Sequence, residues 1–150
     1  MRILGLDFGT KRIGVAISDE LLITAQGMET LERKDLKRDL DAIRGTIRDN
    51  NVSEVVVGLP LNMDGSYSAK TKEVVEFMDN LSKAISVPVK TWDERMTTMQ
   101  AERALLEGDM SRAKRKRLND RLAAQLILQA YLDHRTAFKF LLLLIRKDLG

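Results

Sequence analysis

Two patterns of apolar and polar positions alternate along the chain and predict the order of its elements. Residues 2–7 and 12–18 are short apolar runs of the strand type, separated by only four residues. A connection that short joins two strands only as a hairpin, so the pair is expected to be antiparallel. A second tight connection at Asp19 and Glu20 leads into residues 22–30, which are predicted to be a third strand.

The pattern then changes to the period of an amphipathic helix. Apolar residues spaced by four, three and four positions predict one helix over about residues 34–50 and another around residues 74–85. The positions are Leu36, Leu40, Ile43 and Ile47 in the first helix, and Val74, Met78, Leu81 and Ile85 in the second.

Two further strands and two further helices complete the order. Residues 52–57 are β-branched with almost no alternation, as in a strand covered on both faces, and residues 87–92 form the fifth strand. Thr97 and Gln100 fit a capping box that opens a third helix, which Gly108 ends. A fourth helix is predicted from residues 111–114 to His134.

This order predicts an α/β fold with a five-stranded mixed sheet and helices on both faces. Crossover helices make strands one, four and five parallel, and the hairpin makes strand two antiparallel. Ligands of open α/β sheets bind outside the carboxyl ends of the central strands. Asp7, the loop over residues 58–65 and Asp93–Glu94 all follow such strand ends.

Length and composition limit the classes of protein. A chain of 150 residues is most simply one domain, and the absence of cysteine excludes disulfides and thiolate chemistry. Residues 138–145 are the strongest apolar run but are too short to cross a bilayer. They are predicted to pack on the core or on another subunit, with an exposed face for a partner as the alternative. We expect a monomer or a homodimer without a membrane partner, and the absence of cysteine suits a reducing compartment.

The positive charge is concentrated in one segment. The net charge is only +3, yet residues 111–121 contain six basic residues against one acid, Asp120. Five of them, the candidates for binding a nucleic-acid backbone, are Arg112, Lys114, Arg115, Lys116 and Arg117. Because residues 114–117 point in all directions around a helix, this turn is expected to protrude and contact phosphates.

Three carboxylates are predicted to converge at the carboxyl edge of the sheet. Asp7 shares a strand face with Ile3 and Gly5, where a charge needs a partner. Asp120 heads a helical row that continues through apolar residues, and Glu94 follows strand five. Asp93 lies beside Glu94, so one of the two must point away.

Such a group of acids is expected to hold divalent cations. Converging carboxylates raise one another's pKa unless cations neutralise them, and hard oxygen ligands suit Mg²⁺ or Mn²⁺. Two ions about 3.5–4 Å apart are a common arrangement for phosphodiester hydrolysis. The residues therefore indicate a metal-dependent nuclease.

Four motifs resemble the YqgF family, a group of RNase H-like proteins related to the resolvase RuvC. They are Asp7 to Ala16, Val57 to Gly65, Asp93–Glu94–Arg95 with Thr97–Thr98, and Asp120 with Ala123–Ala124 and Ile127–Leu128. The resemblance spans about residues 2–133. It implies an RNase H-like nuclease domain over residues 1–135, with residues 136–150 as an apolar tail. It also implies a cytoplasmic role in processing the 5′ end of pre-16S rRNA. It also implies that Asp7, Glu94 and Asp120 are the catalytic and metal-binding acids.

Other positions near these motifs have two interpretations each. Lys11 and Arg12 could contact phosphate or be solvated hairpin charges, and Asn62 and Asp64 could contact substrate or only shape a turn. Arg95 is a further candidate for substrate binding. Trp92 is predicted to be in the core, and His134, near a helix end, to be a capping or surface residue.

Three functions besides an RNA nuclease stay open. A resolvase of branched DNA would use the same residues, and fold alone does not separate the two substrates. An RNA-binding assembly factor could keep the acids without catalysis. The Asp7–Thr10 segment also resembles the first phosphate loop of actin-like ATPases, but those proteins need a second lobe for which 150 residues leave no room.

Overall fold

The structure is a computed structural model that describes residues 1–97 and 112–149, without the side chains of residues 112–120. Its elements follow the predicted order. The strands are β1 (Arg2–Phe8), β2 (Arg12–Ser18), β3 (Ala25–Gly27), β4 (Leu31–Glu32), β5 (Val52–Leu59) and β6 (Val89–Asp93). The helices are α1 (Leu36–Asp49), α2 (Ala69–Ala84), a short 3₁₀ helix (Glu94–Met96) and α3 (Arg112–Leu149).

The sheet confirms the predicted α/β architecture. Its strand order is β3-β2-β1-β5-β6, and β4 pairs with β2 beside β3. β1 is parallel to β5, and β5 is parallel to β6, whereas β1 and β2 form an antiparallel hairpin. The carboxyl ends of β1, β5 and β6 therefore meet at one edge of the sheet.

The two faces of the sheet carry separate apolar cores. Leu4, Leu6 and Phe8 of β1 pack with α1 and α2. Ile3 of β1 and Trp92 of β6 pack on the other face with α3. Trp92 is thus a core residue, as predicted.

Small residues let α3 lie directly on the sheet. Ala123 and Ala124 of this helix are completely buried. Opposite them, a Cβ added to Gly5 would lie 2.8 Å from Leu128 Cβ, closer than real carbon atoms approach. This contact sets the distance between α3 and β1.

The predicted third strand over residues 22–30 is wrong in its bounds. The Asp19 carboxylate accepts hydrogen bonds from the backbone N–H groups of Ile23 and Thr24, and Leu22 has a φ of 60°. These contacts hold residues 19–24 in a loop, and the chain after this loop pairs with β2 through the short strands β3 and β4. The fifth strand likewise begins at Val89 rather than at residue 87.

Helix α3 is longer than predicted and continues without a break to Leu149. Neither glycine nor proline occurs between His134 and Leu149, so nothing in the sequence ends the helix at His134. His134 therefore lies inside the helix, exposed, with its ring 5.5 Å from the Trp92 ring.

The predicted packing of residues 138–145 on the core of this chain is also wrong, because these residues are exposed. In the described part of the chain, no helix combines the length and the apolar character that a membrane span requires. The third helix predicted from Thr97 to Gly108 falls on residues 98–111, outside the described residues.

Candidate active site at the carboxyl edge of the sheet

Asp7 lies near the end of β1, on the face covered by α3. It is half-buried and pairs in register with Gly14 of β2. Ile3 belongs to the α3-side core and Leu4, Leu6 and Phe8 to the opposite core. Because side chains alternate along a strand, Asp7 shares the α3 face with Ile3 and Gly5, as the sequence predicted.

Glu94 reaches the same face from the end of β6. Its Oε1 atom lies 3.1 Å from the position that a Cβ of Gly58 would occupy. The Cδ1 atom of Ile127, on α3, lies 2.5 Å from that same position. The Glu94 carboxylate therefore lies over Gly58, under α3, in a space that exists because residue 58 has no side chain.

Strand register brings Asp7 and Glu94 side by side. Leu6 of β1 pairs with Val57 of β5, so Asp7 and Gly58 are each one residue beyond this pair. Neighbouring strands are about 4.8 Å apart. The carboxylate over Gly58 is therefore adjacent to Asp7, on the same face of the sheet.

Asp120 is in α3, one helical turn before Ala124. The helix runs antiparallel to β1, because Gln129 bonds to Ala25 at the start of β3 and Arg121 bonds to Met28 just after its end. Moving from Gly5 to Asp7 along β1 therefore corresponds to moving from Ala124 towards Asp120 along α3. The Asp120 side chain lies outside the described residues, so its convergence with the other two acids stays a prediction.

Among the side chains that the structure describes, no group of three histidine, cysteine, aspartate or glutamate residues is arranged to hold a metal ion. The described residues bring two carboxylates together at this edge, those of Asp7 and Glu94.

Asp93 and Glu94 point in different directions, as their adjacency required. Asp93 caps the 3₁₀ helix by accepting a hydrogen bond from the Arg95 backbone N–H, and its carboxylate pairs with the Arg95 guanidinium at 2.7 Å. These hydrogen bonds hold the pKa of Asp93 below its ordinary value, although burial acts in the opposite direction. Asp93 is therefore engaged with Arg95, while Glu94 faces Gly58.

Arg95 also binds the loop that follows β5. Its Nη1 atom donates to the Met63 carbonyl oxygen at 3.1 Å and lies 3.4 Å from the Cβ position of Gly65, whose φ is +86°. A side chain at residue 65 would be strained in this conformation and would crowd the guanidinium. Arg95 thus fastens the loop to the end of β6, and its predicted role in substrate binding stays a prediction.

The loop over residues 60–67 is held by its own hydrogen bonds. Asn62 Nδ2 donates to Ser66 Oγ at 2.9 Å, and Asp64 accepts from both the backbone and the hydroxyl of Ser66. The bonds from Ser66, with a smaller effect from the charge of Arg95, keep the pKa of Asp64 below its ordinary value. Asn62 and Asp64 shape the turn, and a contact of Asn62 with substrate stays a prediction.

The remaining predicted contacts divide into two groups. Lys11 is exposed at the hairpin tip, and Arg12 pairs with Glu32 through an Nε–Oε1 distance of 3.0 Å. Residues 112–117 form the start of α3, but the side chains of Arg112, Lys114, Arg115, Lys116 and Arg117 lie outside the described residues.

Comparison with known proteins identifies the family. A family model described as RuvX, Holliday junction resolvase, matches residues 1–134. The chain belongs to the RuvX family.

Two curated relatives are similar over almost their whole length, and one solved structure has a similar fold. A protein of Halothermothrix orenii named as a pre-16S rRNA nuclease is 52% identical over 134 residues, covering 89% of this chain and 96% of the relative. A Clostridium kluyveri protein of the same name is 49% identical over 133 residues, covering 89% and 97%. The RuvC structure of Thermus thermophilus has a TM-score of 0.57 at 15% identity, covering 91% of this chain and 97% of RuvC.

Gly58 is the residue of this RuvX chain that sequence reasoning missed. The sequence pattern predicts it as the start of a loop, whereas the structure places it within β5, beneath Glu94. A signal was present, because a glycine directly after the buried run Val55–Val57 indicates a close approach of another group to the strand.

Proposed function

We propose that this RuvX chain is a nuclease that hydrolyses phosphodiester bonds in structured RNA, with the 5′ end of pre-16S rRNA as its substrate. The observation that carries the proposal is the position of the Glu94 carboxylate over Gly58, beside Asp7 on the α3 face. An rRNA precursor as substrate would also locate the protein in the cytoplasm.

The residues at this edge fit a divalent cation. Asp7 near the end of β1 and the Glu94 carboxylate over Gly58 of the neighbouring β5 offer hard oxygen ligands on one face of the sheet. We infer that Asp7 and Glu94, with Asp120 from α3, hold Mg²⁺ or Mn²⁺, in a pair of ions. When bound, such ions activate water and stabilise the charge that develops on phosphate oxygens.

The chain itself would position the substrate. The start of α3 carries five basic residues within residues 112–117, one turn from Asp120. A patch of this kind binds a polyanionic backbone and makes affinity fall steeply with salt concentration. Lys11 on the hairpin tip and the exposed Asn62 on the loop after β5 would contact the same nucleic-acid strand.

A four-way DNA junction is the second candidate substrate. The description of the matching family favours it. The names of relatives at about half identity favour the rRNA precursor. Cutting two symmetric strands would also require two copies of the chain, so a strictly monomeric protein would count against the junction.

The test is a cleavage assay on a 5′-extended 16S precursor and on a four-way DNA junction, with Mg²⁺ or Mn²⁺. We expect Asp7→Asn and Asp120→Asn each to abolish cleavage of the RNA while RNA binding persists. Asp41→Asn, which changes an exposed acid on α1, is the matched control and should cleave normally. Cleavage that survives Asp7→Asn contradicts the assignment of the site.

The same assay distinguishes an RNA nuclease from an assembly factor and from a resolvase. RNA binding without metal-dependent cleavage by the wild-type chain would favour the assembly factor. Cleavage of the junction alone would favour the resolvase. Calorimetric titration with ATP tests for an actin-like nucleotide-binding module, which requires a bound nucleotide.

A further inference from the structure

The last part of α3 extends beyond the body of the protein. Leu132 is the last buried residue of the helix, and every residue from 136 to 149 is exposed. The segment from residue 133 to residue 149 is about 25 Å long at 1.5 Å per residue. It also lies almost entirely outside residues 1–134, which match the family model. We refer to residues 135–149 as the C-terminal segment.

The C-terminal segment is amphipathic, with a very wide apolar side. At 3.6 residues per turn, most of its large apolar side chains fall within an arc of about 200°. These side chains are Phe138, Phe140, Leu141, Leu142, Leu144, Ile145 and Leu149, and each exposes between 45% and 84% of its surface. Leu143 is the large apolar residue outside this arc.

The opposite side of the segment is basic. Arg135, Lys139, Arg146 and Lys147 lie on the remaining part of the helix surface. Asp148, the one acid of the segment, lies in the last turn of the helix, near the middle of the apolar arc. The basic side therefore carries positive charge without acidic neighbours from its own segment.

This combination matches one kind of partner better than the others. The seam between two paired helices is a narrow stripe, and pairing with a second copy would leave much of the apolar arc in water. The surface of a bilayer covers half the circumference of a helix lying on it. The basic side chains can then extend along the helix towards anionic headgroups.

We propose that the C-terminal segment binds anionic lipid membranes, lying in the plane of the headgroup region with its apolar arc inserted. This is attachment to a membrane surface, which departs from the expectation of no membrane partner and is compatible with the finding that no described helix could cross a bilayer. It does not rest on the nuclease activity. Asp120 is 18 residues before Phe138 on the same helix, about 27 Å away. A bound membrane would therefore leave the candidate site free to take up substrate.

The test is flotation of the full chain with lipid vesicles. One set of vesicles contains phosphatidylcholine alone, and the other contains phosphatidylcholine with an equal amount of phosphatidylglycerol. We expect the chain to float with the anionic vesicles and to be released by high salt. Absence of flotation with anionic vesicles overturns the proposal.

Variants show whether the segment is responsible. Leu141→Asp with Leu144→Asp should abolish flotation, and Lys139→Glu with Arg146→Glu should weaken it by about tenfold or more. Lys37→Glu with Lys72→Glu makes the same charge change on exposed positions of α1 and α2, and should leave flotation unchanged. An unchanged thermal midpoint and unchanged RNA cleavage show that each variant is folded. Flotation that is insensitive to the segment variants contradicts the proposal.

The mass of the chain in solution tests the alternative that a second copy of the chain covers the C-terminal segment. We expect the wild type and the Leu141→Asp/Leu144→Asp variant to have the same oligomeric state by light scattering. If the variant converts a dimer to a monomer and the wild type does not float, a second copy covers the segment and the membrane proposal is wrong.

Discussion

The guanidinium of Arg95 donates to both carboxylate oxygens of Asp93, with an Nη2–Oδ2 distance of 2.7 Å and Nε–Oδ distances of 3.1 Å. The two residues flank Glu94, whose own carboxylate turns the opposite way, to Gly58. The same guanidinium bonds to Met63. One side chain therefore connects the loop after β5 with the turn that carries Glu94.

Replacing Arg95 is expected to impair cleavage more than folding. Arg95→Gln removes the bonds to Asp93 and Met63, which frees the loop and loosens the turn around Glu94. We expect kcat to fall by about tenfold or more, since small displacements of reacting groups are costly, while stability changes little because the pair is partly exposed. The measurements are steady-state cleavage rates and urea unfolding.

Two variants control this prediction. Arg95→Lys retains a positive charge and should recover part of the rate. Arg44→Gln removes a guanidinium that bonds to the Ala84 carbonyl, far from the site, and should not change cleavage. If Arg95→Gln raises KM alone and leaves kcat unchanged, Arg95 contacts the substrate instead of positioning Glu94.

Adding a methyl group to Gly58 should disturb both the helix packing and the site. The new Cβ would lie 2.5 Å from Ile127 Cδ1 and 3.1 Å from Glu94 Oε1. We expect Gly58→Ala to cost about 1–3 kcal/mol of stability, as overpacking does, and to reduce cleavage strongly. Combining it with Ile127→Val removes Cδ1 and should restore part of the stability but little of the activity, because the contact with Glu94 persists. Parallel recovery of both quantities would show that Gly58 serves packing alone.

Metal binding should be visible without any cleavage. Asp7 and Glu94 lie close together, so a divalent cation between them should stabilise the folded chain. With Mn²⁺ at about 100 times its Kd, the gain is about 2.7 kcal/mol, equivalent to a rise in Tm of about 5 °C or more. Thermal unfolding with Mn²⁺ and with a chelator measures the difference. The rise should disappear in Asp7→Asn and persist in Asp41→Asn; an equal rise in all three proteins would place the ion elsewhere.

Much of the fold was predictable because its signals are local. The hairpin of β1 and β2, the two amphipathic helices and the parallel arrangement of β1, β5 and β6 follow from spacing and connection length. The late start of β3, at Ala25 instead of residue 22, was not predictable, because it depends on one carboxylate, Asp19, capping the loop that precedes β3. The end of α3 was misplaced because a helix without a stop signal has no local boundary.

The candidate site was predictable to the level of its strand ends. The alternation of Ile3, Gly5 and Asp7 indicated the face on which Asp7 lies. The choice between Asp93 and Glu94 was not available from spacing, since it depends on Arg95 pairing with Asp93 through space. The role of Gly58 depends on an approach of Ile127, which is 69 positions away in the chain.

Gly5 and Gly45 should respond in opposite ways to the same substitution. A Cβ at Gly5 would be 2.8 Å from Leu128 Cβ and 3.3 Å from the backbone oxygen of Ala124, and neither atom can move without shifting α3. We expect Gly5→Ala to destabilise the chain by about 1–3 kcal/mol. Gly45 is inside α1, with only the Arg48 guanidinium at 3.8 Å, so Gly45→Ala should stabilise by about 0.5–1 kcal/mol. Chemical denaturation measures both, and equal effects would contradict the close packing of α3 on β1.

Tyr131 should give the chain a loss of stability at high pH. Burial, followed by the hydrogen bond of its hydroxyl to Glu54 at 2.9 Å, raises the pKa of Tyr131 from 10.0 to about 12. Lys90, which pairs with Glu54, and Arg135 are the positive groups nearby, and Arg135 acts to lower this pKa. Since the folded chain favours the neutral phenol, its contribution to stability is complete below pH 10 and is lost as the pH rises through about 12.

The titration of the two tyrosines by ultraviolet absorbance measures this effect. The Tyr131 step is the part of the wild-type titration that is missing in Tyr131→Phe, and it should lie well above pH 10. Glu54→Gln keeps a hydrogen-bond acceptor but removes the negative charge, so it should move the Tyr131 step to lower pH while leaving it above pH 10, because burial remains. A Tyr131 step at pH 10 in the wild type would mean that Tyr131 is solvated, and that the contact between α3 and β5 at Glu54 is open in solution.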